Sequence, residues 1–215
     1  DSKPIRVRIP RPLGVEGVTR ARLSVVKPSN GAHIGEPSLQ SNRRKLPAFQ
    51  SRGEILSMVQ ENQVTVISGA TGSGKTTQIP QFLLEEASET KNGISVVCTQ
   101  PRRIAAISVA ERVASERCER VGQSVGYQVK LSTKRSDATR LIFCTTGVVL
   151  RRMQSDPSLL GLTHIIVDEC HERSVETDFL LILLRDILLH RPALRVILMS
   201  ATLDASKFST YFSEV

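Results

Sequence analysis

A chain of 215 residues, 40% of them hydrophobic, can bury one sizeable core but hardly two large domains. No apolar run reaches the length of a membrane span, and the opening DSKPIRVRIPRP lacks the apolar stretch of a secretory leader, so the expectation is an intracellular protein, cytoplasmic or nuclear. The formal charge of +8 is uneven: residues 1–45 carry ten Lys or Arg against three Asp or Glu, and the remainder carries 19 against 18.

The first 45 residues hold five prolines, no aromatic side chain and the turn-prone SNGAHIGEPS, so they read as a basic extension ahead of a near-neutral body at 46–215. Two readings of the extension stand side by side. It is an arm drawn to phosphate backbones, or it is a linker or short ribbon packed on the body, since IRVRI and RARLSVV both alternate.

From Leu46 onward, short β-branched runs alternate with segments of helical spacing. The pattern predicts a helix over 49–61, strand VTVIS (64–68), a helix over 75–89, strand ISVVC (94–98), a helix over 103–117 and a weaker strand VGYQV (125–129). Strand LIFC (141–144), a helix over 147–154, strand HIIVD (164–168), a helix over 178–189, strand RVILMS (195–200) and a helix over 204–212 complete it. Such alternation predicts an α/β fold with a mostly parallel sheet flanked by helices on both faces, whose ligands collect beyond the carboxyl ends of the strands.

After the first body strand stands GATGSGKT, which fits G-x-x-x-x-G-K-[ST] between a predicted strand and a predicted helix, as the motif requires. A glycine-rich turn lets successive backbone N–H groups converge on phosphate oxygens, and the following helix adds its positive end. Gly69, Ala70, Thr71, Gly72, Ser73, Gly74, Lys75, Thr76 and Thr77 are therefore the candidate nucleotide-binding residues. Lys75 is placed to reach the β- and γ-phosphates and Thr76 to offer a hydroxyl to Mg²⁺. Pro80, one to two turns into the helix, is expected to loosen or kink it.

IIVDECHERSVETDF, residues 165–179, sets a Cys beside a His directly after two acids. Downstream of a phosphate loop, an apolar run ending in Asp168-Glu169 suits a nucleotide hydrolase: Asp168 holds Mg²⁺, and Glu169 orients and deprotonates the attacking water. Adjacent residues leaving a strand point apart, so Cys170 and His171 make a poor nucleophile and base. The four cysteines, at 98, 118, 144 and 170, show no zinc or redox spacing and read as buried thiols.

With these motifs in view, the chain resembles the DEAH/RHA-box helicases of superfamily 2 over about 170 residues, from RRKLPAF to ATLDASKF. Besides GATGSGKT and DECH it carries TQPRRIAA (99–106), VGYQVK (125–130), TTGVVLRRM (145–153) and SAT (200–202) in the family's order. The resemblance implies a RecA-like domain, the first of two, in an ATP-dependent enzyme that uses Mg²⁺ to translocate on single-stranded RNA and unwind duplexes with a single-stranded overhang. It implies strand contacts at Arg102, Arg103, Thr145, Thr146 and Gly147, and a relay linking hydrolysis to those contacts through His171, Ser200, Ala201 and Thr202. It also makes Arg112, nine residues beyond Arg103, the candidate that stacks on the nucleotide base. The scarcity of aromatic residues, 4% with no Trp, agrees with a grip on phosphates and sugars in place of base stacking.

Cys170 replaces the family's more common alanine at a position not expected to touch the nucleotide, and Ala70 stands where many relatives carry an acid, with little consequence expected in a loop that works through backbone N–H groups. No Q-R-x-G-R-x-G-R segment occurs, so the arginine finger and second RecA-like domain are expected elsewhere than in this chain, which reads as half of a motor. Two other functions fit the same motifs: a nucleotide-gated RNA-binding module that remodels without unwinding, and a P-loop ATPase that acts on no nucleic acid.

Overall fold

The computed structural model describes residues 6–8, 37–201, 208 and 210–212. Its strands are β1 (Arg6–Arg8), β2 (Val64–Ser68), β3 (Val96–Gln100), β4 (Val125–Val129), β5 (Ser132–Lys134), β6 (Leu141–Thr145), β7 (His164–Val167) and β8 (Arg195–Ser200). The helices are α1 (Pro37–Arg44), α2 (Pro47–Gln50), α3 (Arg52–Glu61), α4 (Lys75–Thr90), α5 (Arg103–Glu116), α6 (Thr146–Ser155) and α7 (Val175–His190). Among the described residues no helix is long and apolar enough to cross a membrane.

The strands form one sheet in the order β1-β2-β8-β7-β3-β6-β4-β5. The six inner strands run parallel, while β1 and β5 pair antiparallel at the two edges. This is the predicted α/β architecture, a RecA-like sheet between helical layers. The period of two along each strand sorts the core: Val66, Val97, Ile165, Val167, Val196 and Leu198 face α6, α7 and Phe212. Ile67, Val96, Cys98, Ile166, Ile197 and Met199 face α3, α4 and α5 on the opposite side. Strands buried on both faces explain why these runs are continuously apolar.

Several element boundaries differ from the sequence reading. The strand expected at 94–98 lies at Val96–Gln100. It continues past the apolar run because Thr99 and Gln100, both buried, find partners in Ile166 O and the Asp168 carboxylate. Helix α7 begins at Val175 and not at 178, since Ser174 Oγ accepts from the Thr177 N–H and caps it. Pro80 does not interrupt α4, which runs through it from Lys75 to Thr90. Strand β5 went unpredicted, because Ser-Thr-Lys has no apolar alternation. It is called for by Gly126 on β4, where a Cβ would stand 2.5 Å from Lys134 O.

The helix α1 was not foreseen either. Arg43, on the extension side of residue 45, donates to Gln78 Oε1 at 2.8 Å and pairs with Glu85 at 2.8 Å, both on α4. Strand β1, from the alternating IRVRI, lies against β2. Of the expected C-terminal helix, Phe208 and Thr210–Phe212 are helical, and the rest of 204–212 lies outside the described residues.

Candidate functional site

The parallel sheet gathers the motifs on one rim. At the carboxyl ends, in spatial order from the β1 edge, stand the phosphate loop after β2, Ser200-Ala201 after β8, Asp168-Glu169 after β7, PRR after β3 and TTG from the end of β6 into α6. In the chain these segments occur in a different order, and only the strand crossovers make them neighbours.

The loop 69–74 turns through Gly72 at φ +82° and Gly74 at φ +90°. At Gly74 a side chain is excluded twice, by the backbone angle and by Leu46 Cδ1, 2.9 Å from where a Cβ would sit. The first turn of α2 braces the loop further, Ala48 N–H donating to Ser73 O at 3.0 Å. Lys75 opens α4 and folds back, its Nζ donating to Gly69 O, to Ala70 O at 3.0 Å and to Ser73 Oγ at 3.4 Å. Burial lowers the Lys75 pKa from its ordinary value, and the charges of Asp168 and Glu169 act in the opposite direction.

Two strands onward in the sheet, after β7, Asp168 is 4% exposed. Its Oδ2 accepts from Thr76 Oγ1 at 2.6 Å and from Gln100 Nε2 at 2.8 Å, and its Oδ1 accepts from the Glu169 N–H at 2.9 Å. The direct bond from Thr76 to Asp168 joins the phosphate loop to the acidic motif across 92 residues of sequence. A hydroxyl and a carboxylate here form a hard oxygen donor pair, the chemistry that suits Mg²⁺, which keeps several of its waters and takes few protein ligands.

Glu169 leaves β7 in the left-handed region, φ 52°, and opens a single 3₁₀ turn over Cys170–Glu172. Burial, then the charge of Asp168, raises its pKa above the ordinary carboxylate value, against the pull of His171 and Lys75. Its Oε2 lies 3.4 Å from His171 Nδ1, and that same nitrogen accepts from the Ala201 N–H at 3.3 Å. His171 thus spans from the second acid to the end of β8. Ser200 O, one residue earlier, accepts from Gly69 N–H at 3.2 Å, returning the chain of contacts to the phosphate loop. Thr202, the remaining member of the predicted relay, lies outside the described residues.

Cys170 answers its own question. Its thiol is fully buried in the core beneath α7, and burial, helped by the charge of Asp168, pushes its pKa up to about 12. A thiol so protonated is no nucleophile. Cys98 and Cys144 are buried as expected, whereas Cys118 is only half-buried, because it sits in the turn that follows α5 at φ 57°.

Arg102 stands at the N-cap position of α5 and Arg103 begins the helix, both exposed; Arg102 lies 4.0 Å from Glu172. Register pairs Gln100 with Thr145, so TQPRR and Thr145-Thr146-Gly147 leave adjacent strands side by side. Glu176 reaches the same place, its carboxylate about one contact distance, 3.5 Å, from where a Gly147 Cβ would lie. Arg112 lies on α5, more than half exposed, with its Nε bound to Glu116 at 2.7 Å.

Three residues escaped the sequence reading. Gln100 holds Asp168 from the neighbouring strand; it stood within TQPRRIAA, but nothing along the chain assigned it that role. Leu46 and Ala48 brace the loop from a segment with no motif of its own.

With this geometry described, similarity to known proteins decides the family: the DEAD/DEAH box helicase profile matches residues 50–210. The chain belongs to the DEAD/DEAH box helicases. Within that family it is 59% identical over 177 residues to the DExH-box ATP-dependent RNA helicase DExH1 of Arabidopsis thaliana, covering 81% of this chain and 18% of that protein. It is 57% identical over 178 residues to the putative ATP-dependent RNA helicase DHX57 of Homo sapiens, covering 82% of this chain and 13% of the relative. To the ATP-dependent DNA/RNA helicase DHX36 of Bos taurus it is 50% identical over 180 residues, covering 81% of this chain and 18% of the relative. This helicase domain therefore spans less than a fifth of the length of these relatives.

Proposed function

We propose that this chain is the ATP-binding domain of an ATP-dependent RNA helicase, the first of two RecA-like domains, in which hydrolysis at one end of the sheet rim drives a grip on RNA at the other. The observation that carries the reading is the spatial order of the rim: phosphate loop, Ser200-Ala201, Asp168-Glu169, Arg102-Arg103, then Thr145-Thr146-Gly147. A hydrolysis site and a strand-binding site placed side by side on one rigid edge, with His171 touching both Glu169 and β8, form the geometry that coupling requires.

The work of each residue follows from its place. Backbone N–H groups of residues 69–74 and the N-terminus of α4 hold the triphosphate. Lys75 Nζ exchanges its loop carbonyls for phosphate oxygens, a charge-assisted contact stronger than the ones it leaves. Thr76 and Asp168 hold Mg²⁺, which when bound neutralises charge on the phosphoryl oxygens. Glu169 orients the attacking water and takes its proton, the raised pKa favouring that acceptance. His171 senses the change at Glu169 and passes it to Ala201. Arg102 and Arg103 hold RNA phosphates, and the Thr145-Thr146 hydroxyls with the Gly147 backbone supply a second touch point.

The second RecA-like domain supplies the other wall of the cleft and the arginine finger, which contributes a factor of about 10³ to 10⁵ in phosphoryl transfer. Displacement of a labelled strand from an RNA duplex with a single-stranded overhang, by the two-domain protein with ATP, tests this function. ATP-dependent displacement that is lost on replacing Arg102 and Arg103 with Ala is the expected result. RNA-stimulated ATP turnover with no displacement at any overhang polarity would assign the protein to remodelling without unwinding.

A further inference from the structure

Beneath the phosphate loop lies a polar centre that none of the motifs explains. Glu116, in the last turn of α5, is 2% exposed, and its carboxylate collects donors from three helices. Its Oε2 accepts from Gln78 Nε2 at 2.9 Å and Gln81 Nε2 at 2.8 Å, both on α4, with Arg43 Nε of α1 at 3.6 Å. Its Oε1 accepts from Arg112 Nε at 2.7 Å. The two glutamines lead directly to the nucleotide loop: Gln78 Nε2 also donates to Thr77 Oγ1 at 2.9 Å, and Gln81 Nε2 to Thr77 O at 2.9 Å.

A buried carboxylate is costly unless its lone pairs are met, and breaking such a set leaves an uncompensated charge. Stability alone would be served by Arg43 and the two glutamines. The Arg112 contact differs in kind, because Arg112 is 53% exposed and, among the described residues, is engaged through its Nε alone. An exposed arginine loses rotamer freedom to such a tether, and the tether leaves the flat faces of the guanidinium open. A guanidinium fixed by one edge and open on its face is arranged to stack on a planar ring, with the ordering cost met before the ring arrives.

We infer that Glu116 is a positioning residue for the nucleobase: it fixes the plane of Arg112 and ties that plane to the phosphate loop through Gln78, Gln81 and Thr77, so that base and phosphates are read from one rigid frame. The inference rests on the proposed stacking role of Arg112 and goes beyond it by naming the residue that makes the stacking possible.

The test compares a ligand with a base and one without, ADP and inorganic tripolyphosphate, by calorimetric binding to the purified protein, wild type, Arg112→Ala, Arg112→Lys, E116Q and the E116Q/R112A double variant. Arg112→Ala, Arg112→Lys and E116Q are each expected to weaken ADP binding about five- to tenfold, the worth of one cation–π stack, and to leave tripolyphosphate binding unchanged. The double variant should bind ADP no worse than Arg112→Ala alone, because the two residues act as a unit. If Arg112→Ala weakens ADP and E116Q does not, the inference is wrong and the stacking role of Arg112 stands. If Arg112→Ala leaves ADP unaffected while tripolyphosphate still binds, both are wrong and the phosphate site stands. Equal loss of ADP and tripolyphosphate in E116Q would make Glu116 a support of the loop only, which also overturns the inference. Should E116Q melt below the assay temperature, E116D keeps the buried charge but withdraws it from Arg112 by one methylene, and carries the same prediction; if it too only unfolds, the role is structural and the inference fails.

Discussion

Lys75→Ala is expected to abolish measurable ATP turnover while leaving the fold in place. Lys75 Nζ is satisfied by Gly69 O, Ala70 O and Ser73 Oγ, at a loop that water can reach, so its removal frees carbonyls that water can take up. The function loses more. A charge-assisted bond to phosphate is worth roughly 1.5 to 3 kcal/mol in binding, and more where charge develops on the transferring phosphoryl group. Turnover should fall by at least about a hundredfold, with binding of a fluorescent ATP analogue weakened about tenfold or more and an unchanged far-ultraviolet circular dichroism spectrum. Wild-type turnover in this variant would remove the phosphate loop from the mechanism.

Glu169→Gln and Asp168→Asn should fail in different ways. The Glu169 side chain is partly exposed and its pKa is raised, so the isosteric amide fits the same space but accepts no proton. Hydrolysis should drop about a hundredfold to ten-thousandfold, the range for losing a general base, while Mg²⁺-dependent ATP binding persists. Asp168 is held by three donors, from Thr76, Gln100 and the Glu169 backbone, so an amide there turns an NH₂ toward at least one of them. Asp168→Asn should therefore shift the Mg²⁺ titration of ATP binding to higher concentration. Identical defects in that titration would mean that the two acids do not divide the work as assigned.

How much of this was legible in the sequence depended on whether a residue's role was set locally. GATGSGKT sits between a strand and a helix, both readable from apolar spacing, and its turn needs glycine for reasons that act within the loop itself. Strands β2 and β8 were found to the residue because burial on both faces makes them almost continuously apolar or β-branched. Gln100 was not legible, since a buried glutamine at a strand end earns its place only from Asp168, 68 residues away. Glu116 was not legible either, because ERVASER has the (i, i+4) charge spacing of an ordinary surface helix. What buries it are two glutamines on α4 and an arginine assigned to the extension, and that packing has no signature along α5 itself. The hairpin of β4 and β5 was missed for a similar reason: its turn carries Leu131, 91% exposed at φ 68°, where a glycine or asparagine would have announced it.

The central claim is that one rim of the sheet joins a nucleotide-hydrolysing site to an RNA-holding site. ATP turnover by the full-length protein, measured with and without single-stranded RNA at fixed salt, tests it most directly. The account predicts turnover that rises on adding RNA, with the rise lost when Arg102 and Arg103 are replaced by Ala and basal turnover retained through Lys75, Asp168 and Glu169. Turnover that is the same with and without RNA would contradict it, and would leave a P-loop ATPase whose PRR and TTG segments serve some other partner.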